Sequence, residues 1–308
     1  MTGFIGIDAG GTKTDFKLSD EHGHILSSWS DIGCRLLADS PQALQALLSR
    51  GVSALLQEAG MPLEQIGGAC LGISGYGESV DGDEMARAVC ESIFGKGRVI
   101  CTNDCRIAWA GSLGMQPGVN IIAGTGSIAY GENEEGESAR SGGWGAIFDE
   151  GSCRWIGEAL IQTYTKQADG RLPRTALYEA FRRRESITSD EKFIAPLNHG
   201  YLKNVRQVAS LQRLCLELWQ QGDPHAYRIY GHAAQELALA ASAVANHLNM
   251  TRPFKVSYAG GLFHAGEAIM KPFVQQLEQM GGTPVPPIAG PAEGAASIAR
   301  YQALADEA

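Results

Sequence analysis

Long apolar runs are absent from this chain. No stretch of about 18 consecutive hydrophobic residues occurs, so no membrane-spanning helix and no membrane partner is expected. A basic segment followed by an apolar one is missing at the start, where the sequence runs straight into a strand pattern, and export by a signal peptide is not expected. Basic stripes are missing too. With 25 Lys and Arg against 34 Asp and Glu, the net charge is -9. The short "RRRES" run (182–186) reads as a solvated helix end, so no nucleic-acid partner is expected. Any anionic ligand must then be gripped locally. The seven cysteines are odd in number, scattered through mostly apolar segments and free of any CxxC, which argues against a disulfide framework or zinc knuckle. Reduced thiols and a cytoplasmic location are expected. None of the seven histidines forms HExxH or another close ligand pair, and they read as solvated or structural.

What is present is enough apolar material for a sizeable core: 44% of 308 residues are hydrophobic, alongside 39 glycines and 12 prolines. That length suits two domains. Phe4, Ile5 and Ile7 form a short strand ending in Asp8 and a glycine pair, residues 14–18 alternate as a second strand, and 25–29 make a third after the turn "SDEHGH". Ser40-Pro41 opens a helix at N-cap and N1, leucines recur at helical spacing, and Gly60 ends it. A buried strand (68–73), a helix (81–94), a strand (98–102) and a helix (104–113) follow.

The stretch "FIGIDAGGTKTDF" (4–16) is one residue away from a P-loop, but context excludes that reading. A P-loop needs a helix opening at Gly-Lys-Thr so that its first N–H groups surround phosphate, whereas here a strand follows. A dinucleotide fingerprint fails for the same reason. A tight glycine hairpin still presents backbone N–H groups as an anion nest, with Thr12, Lys13 and Thr14 adding donors. Asp8 would repel phosphate unless Mg²⁺ lay between them. The pattern then restarts: "NIIAGTGSIAYGENEEGES" (120–138) is again strand, Gly/Thr/Ser turn, strand and charged turn. "FKVSYAGGLF" (254–263) repeats the strand-then-glycine logic of "GACLGISGYG" (68–77). The second half reads as a copy of the first, widened by helices over about 150–250, with helical stretches at 155–166, 205–220 and 224–248. Repeats this weak also arise by chance, so duplication and coincidence both stay open on the residues alone.

Taken together, "GIDAGGTKT", "AGTGS" and "YAGGLF" resemble the two phosphate hairpins and the adenosine turn of the actin, heat-shock chaperone and sugar kinase superfamily. "SGGWGAIFDEGS" (141–152) and "PAEGAASIA" (291–299) resemble its N-acetylglucosamine and glucosamine kinase branch, within the BadF/BadG/BcrA/BcrD ATPase family. The resemblance covers nearly the whole chain. It implies an α/β fold of two actin-like, ribonuclease H-like domains around a central ATP cleft: 1–115, joined by a last helix at about 291–308, and 116–290, enlarged by helices. Glucokinases of the repressor and kinase family are set aside because their Cys-rich zinc motif is missing. The activators of 2-hydroxyacyl-CoA dehydratases are similar at "SGYG" (74–77) but carry a cluster-ligating cysteine that has no counterpart in 141–152.

The implied activity is transfer of phosphate from ATP, with Mg²⁺, to the 6-hydroxyl of N-acetylglucosamine. Glucosamine or another hexose, an activator-type ATPase driving a partner protein, and a sugar sensor without turnover are the alternatives. The resemblance gives Gly10, Gly11, Thr12, Lys13, Gly124, Thr125, Gly126, Ser127, Gly260 and Gly261 to ATP, and Asp8, through water, to Mg²⁺. It gives Ser74, Gly75, Asn103, Gly143, Trp144, Gly145 and Asp149 to the sugar, and Asp104 to the sugar and the proton. On the residues alone, Asp104 reads more readily as a helix cap and Trp144 as core, and Lys13 equally as solvent-facing. The resemblance implies domain closure against wasteful ATP hydrolysis, and a homodimer. Two departures bear on the sugar: Cys34 falls near the place of a sugar-contacting Asn, and Trp144 to Asp149 is one residue shorter than usual.

Overall fold

β1 (Gly3–Ala9) is buried almost along its whole length, as a strand covered on both faces must be, and its two faces differ in kind. Ile5, Ile7 and Ala9 enter an apolar cluster, whereas Gly6 has no side chain because the backbone of a late helix lies directly on it. The computed structural model describes residues 2–34, 36 and 39–306. It divides into two units, Met1–Asn120 with Pro286–Ala308, and Ile121–Val285.

In the first unit β1 pairs antiparallel with β2 (Lys13–Ser19), which pairs antiparallel with β3 (Ile25–Ile32). On its other side β1 pairs parallel with β4 (Ile66–Ile73), and β4 with β5 (Val99–Asn103). The sheet order is therefore β3-β2-β1-β4-β5. α1 (Pro41–Ala59) starts and stops where the local chemistry predicts: the Ser40 hydroxyl accepts the Ala43 amide at 3.2 Å, and Gly60 adopts φ 63°. Leu44, Leu47 and Leu48 of α1, with Ala86 and Val89 of α2 (Val80–Phe94), join the Ile5 and Ile7 face. Each buried leucine, isoleucine or valine there stabilises by about 1.5–3 kcal/mol. α3 (Asp104–Leu113) covers the Gly6 face together with a helix from the far end of the chain, Pro291–Asp306. Their crossing is tight: a Cβ at Gly294 would strike the backbone of Ile107 and Gly111.

The second unit is built on β6 (Gly118–Ala123), β7 (Ser127–Glu132) and β8 (Ser138–Gly142). Six helices follow: α4 (Cys153–Ala168), α5 (Ala176–Glu185), α6 (Ile194–His199), α7 (Val205–Ser210), α8 (Gln212–Gln220) and α9 (Pro224–His247). Then come β9 (Phe254–Ala259), α10 (Glu267–Gln279) and β10 (Gly282–Pro284), before α11 (Pro291–Asp306) returns to the first unit. The order β8-β7-β6-β9-β10 is that of the first sheet, strand for strand, so the repeat in the residues is a repeat of topology. Where the first unit has α1, the second has six helices around a ring cluster in which Tyr164 stacks on Phe181 at 4.4 Å and Phe193 meets both edge-on.

Two expectations are corrected. The helix expected over 205–220 is two helices, because the Leu211 amide bonds back to Val208 in a tightened turn between α7 and α8. The "RRRES" run does end a helix, with Arg183 and Arg184 exposed as expected, but Arg182 is half-buried: it donates to the Tyr178 hydroxyl at 2.7 Å and the Thr188 carbonyl at 2.9 Å. It thus joins a network in which Asp190 accepts the hydroxyls of Tyr164 and Tyr178.

Candidate active site

Three parallel strands of the first unit end in one row. Ala9 pairs with Ile73, and Ile73 with Asn103, so the residues that follow (Gly10, Ser74, Asp104) leave the sheet along one carboxyl edge. In open α/β sheets this edge is where ligands bind. The β1–β2 turn is closed by the Gly10 amide donating to the Lys13 carbonyl at 3.0 Å, leaving Gly11 and Thr12 exposed. The segment after β3 lies against this turn. The Cys34 amide donates to the Gly10 carbonyl at 3.0 Å, and a Cβ at Gly33 would strike the backbone of Gly11 and Thr12. Lys13 is ion-paired with Asp15 at 2.8 Å on its own strand. Thr14 is fully buried, and its hydroxyl has no partner among the described residues. The Cys34 side chain turns into the core, where burial and the neighbouring Asp39 carboxylate push the thiol up to about 11.

Asp104 opens α3 but does not cap it. The cap is Asn103, whose Oδ1 accepts the Cys105 amide at 3.0 Å while its Nδ2 donates to the Tyr76 carbonyl at 2.9 Å. One Asn103 amide hydrogen remains for a ligand. The Asp104 carboxylate takes the Ser74 hydroxyl and the Cys105 amide and thiol, and burial nevertheless raises it above the usual carboxylate range. Asp8 is raised further, from 3.8 to about 7, first by burial and then by the charges of Asp104 and Asp15; Lys13 offsets this only in part. Glu293 of α11 adds to the same negative field and pairs with Lys17 at 3.3 Å. Nothing local in the sequence marks Asp15 and Glu293, since only the β1–β2 register and the return of α11 bring them to Asp8.

A crowded, oxygen-only carboxylate site of this kind fits a hard divalent cation. Among the described residues no group of three or more His, Cys, Asp or Glu side chains forms a cage. A cation held by Asp8 would therefore keep water or phosphate oxygens as its remaining ligands, which is the habit of Mg²⁺.

In the second unit β6 and β9 end together: a Cβ at Gly260 would strike the Ala123 backbone, which puts Gly260-Gly261 beside the turn Gly124–Ser127. That turn is closed by the Gly124 amide donating to the Gly126 carbonyl at 2.8 Å and by the Cys153 amide donating to the Gly124 carbonyl at 2.8 Å. The Ser127 hydroxyl donates to the Glu150 carbonyl. Residues 141–152 fold over it. Gly143 (φ 69°) and Gly145 (φ 105°) make turns that side chains resist, and the Trp144 amide donates to Asp149 Oδ1 at 2.8 Å. Asp149 is buried against Gly126, so one of its oxygens is spent on its own loop. Trp144 is 73% exposed with Arg140 over its ring, which rules out the core alternative. Within each unit the candidate residues therefore collect at one sheet edge.

Two sheets of one topology, each with a glycine turn where its first strand ends, define the actin-like class of ATPases and sugar kinases. The chain matches the BadF/BadG/BcrA/BcrD ATPase family over residues 5–299 and belongs to it. It is 35% identical over 268 residues to the N-acetylmuramic acid/N-acetylglucosamine kinase of Clostridium acetobutylicum, covering 84% of this chain and 85% of that protein. It is 29% identical over 269 residues to the N-acetyl-D-glucosamine kinase of Dictyostelium discoideum, covering 84% of each. A solved structure from Chromobacterium violaceum, proposed to be an N-acetylglucosamine kinase, superposes with a TM-score of 0.73 at 26% identity, over 97% of this chain and 99% of that one. The glucokinase of Streptomyces griseus, of the ROK family, solved with glucose and AMPPNP, matches with a TM-score of 0.59 at 18% identity, over 97% and 98%, and shares the fold.

Proposed function

We propose that this protein is an ATP- and Mg²⁺-dependent kinase that phosphorylates the 6-hydroxyl of N-acetylglucosamine. The observation that carries the reading is the Asp104 carboxylate. It stands at the carboxyl edge of the first sheet and is released from capping by Asn103. A general base needs such freedom, and burial makes its oxygen a better proton acceptor than a free carboxylate. Ser74 fixes the orientation of that carboxylate. In this reading the Asp104 carboxylate accepts the proton of the sugar hydroxyl as the hydroxyl oxygen attacks the γ-phosphorus of ATP, and the bond from that phosphorus to the bridging oxygen breaks so that ADP leaves. Mg²⁺, when bound, neutralises phosphate charge, and Asp8 would hold it through water. The Gly11–Thr12 turn of the first unit would bind phosphate, as would Thr125 and Gly126 in the second, while Gly260 and Gly261 would let the nucleoside approach the backbone. Gly143, Trp144 and Gly145 line the sugar, with Asn103 and the second oxygen of Asp149 as hydroxyl partners.

The curated relatives are named for N-acetylglucosamine and, in one case, N-acetylmuramic acid. The deciding measurement is therefore sugar-dependent ADP release by the purified protein, with N-acetylglucosamine, N-acetylmuramic acid, glucosamine, N-acetylmannosamine and glucose, followed by location of the phosphate on the product. ATP turnover indifferent to every sugar would end the kinase reading and favour an activator-type ATPase.

A further inference from the structure

Arg154 is the second residue of α4, a position where a cation gains nothing from the helix. The positive end of the macrodipole repels it, and Arg ahead of Glu at i,i+4 is the weaker orientation of such a pair. Yet the side chain is only 12% exposed. Its Nη atoms grip Glu158 as a fork, and Nη1 also donates to the carbonyls of Ala146 at 3.3 Å and Ile147 at 3.1 Å. Those two carbonyls are the tip of the loop between Gly145 and Asp149. The base of the loop is already closed by the Phe148 amide on the Gly145 carbonyl at 2.8 Å and the Trp144 amide on Asp149 at 2.8 Å. The tip carries Ile147, 62% exposed, and adjoins Phe148, 73% exposed, so apolar burial does not hold it.

We propose that Arg154 is a positioning residue for sugar recognition. Seated in a fork with Glu158, its guanidinium fixes the tip of the 143–149 loop and so sets the orientation of Trp144 and Asp149. This rests on the sugar-kinase reading, because only then do those two residues face a sugar. A planar fork can serve a carboxylate and two carbonyls together, whereas an ammonium cannot.

The test compares wild type with Arg154→Met and Arg154→Lys in two measurements. Hydrogen exchange, made without substrate, is expected to quicken at the Trp144 and Phe148 amides in both variants. In kinetics, KM for N-acetylglucosamine is expected to rise about tenfold or more with kcat within a few-fold and MgATP affinity unchanged, the pattern of a displaced binding loop. Unchanged exchange overturns the tether. Quickened exchange with an unchanged sugar KM overturns the role in recognition. An Arg154→Lys protein that behaves as wild type overturns the fork. If Arg154→Met does not fold, Glu158→Gln, which weakens the fork from the far side, is expected to give the same pattern. Wild type inactive on every sugar would remove the functional reading itself, while the exchange data would still decide whether Arg154 holds the loop.

Discussion

Asn103, not Asp104, caps α3: the Asn103 side chain accepts the Cys105 amide at 3.0 Å, and the Asp104 carboxylate next to it sits buried at the strand end with the Ser74 hydroxyl and Cys105 as its partners. Structure and chemistry are thus divided between two adjacent residues, and mutation should separate them.

Asp104→Asn is expected to lower kcat by about 10²-fold or more, the usual scale for loss of a general base, with MgATP affinity and melting temperature close to wild type. Asn103→Ala is expected to destabilise by about 1 kcal/mol through loss of the cap. Steady-state kinetics and thermal melts on both variants check this. A marked fall in the melting temperature of Asp104→Asn would return Asp104 to a structural role.

The raised carboxyl of Asp8 gives a pH signature. Its value moves from 3.8 to about 7 on folding, so between those pH values the folded state holds a proton that the unfolded chain has lost. The contribution of Asp8 to stability is therefore greatest at low pH and falls as pH rises from about 4 to about 7. Asp8→Asn removes that dependence. Urea unfolding of the ligand-free protein should show the variant gaining on wild type between pH 5 and pH 8, and Mg²⁺ with ADP should narrow the gap by relieving the ionised carboxylate.

Trp144 is 73% exposed, so Trp144→Ala should leave the melting temperature nearly unchanged while raising the KM for the amino sugar. Adding sugar to wild type should change its tryptophan fluorescence. The variant should lose most of that change.

Glycines separate by what surrounds them. Gly294→Ala drives a methyl into the α3 backbone and should destabilise by about 1–3 kcal/mol. Gly231 lies inside α9 with nothing within 4 Å of a prospective Cβ. Gly231→Ala should stabilise by about 0.5–1 kcal/mol, since it relieves the helix of its most flexible residue. Denaturant midpoints compare the two.

What could be read from the residues was what local chemistry decides. Ser40-Pro41 and Gly60 bound α1 because capping is a matter of adjacent atoms, and the strand after Lys13 exposed the false P-loop because alternation is visible in five residues. Features set by packing were hidden. The break at Leu211 lies inside an unbroken apolar periodicity, and the inward turn of Cys34 depends on Gly33 pressing the β1–β2 turn. Asp149 reads from its motif as a sugar ligand. Only the fold shows that one of its oxygens is taken by the Trp144 amide.

The docking of α11 on β1 and β4 also sets an order in time. A ribosome releases β1 through α3 first, then the entire second unit, and only afterwards the helix whose backbone covers Gly6. Until then that face of the central strand has only α3 against it. The second unit is therefore free to fold first, and the first unit must wait, partly open, for the last helix of its own fold to be made.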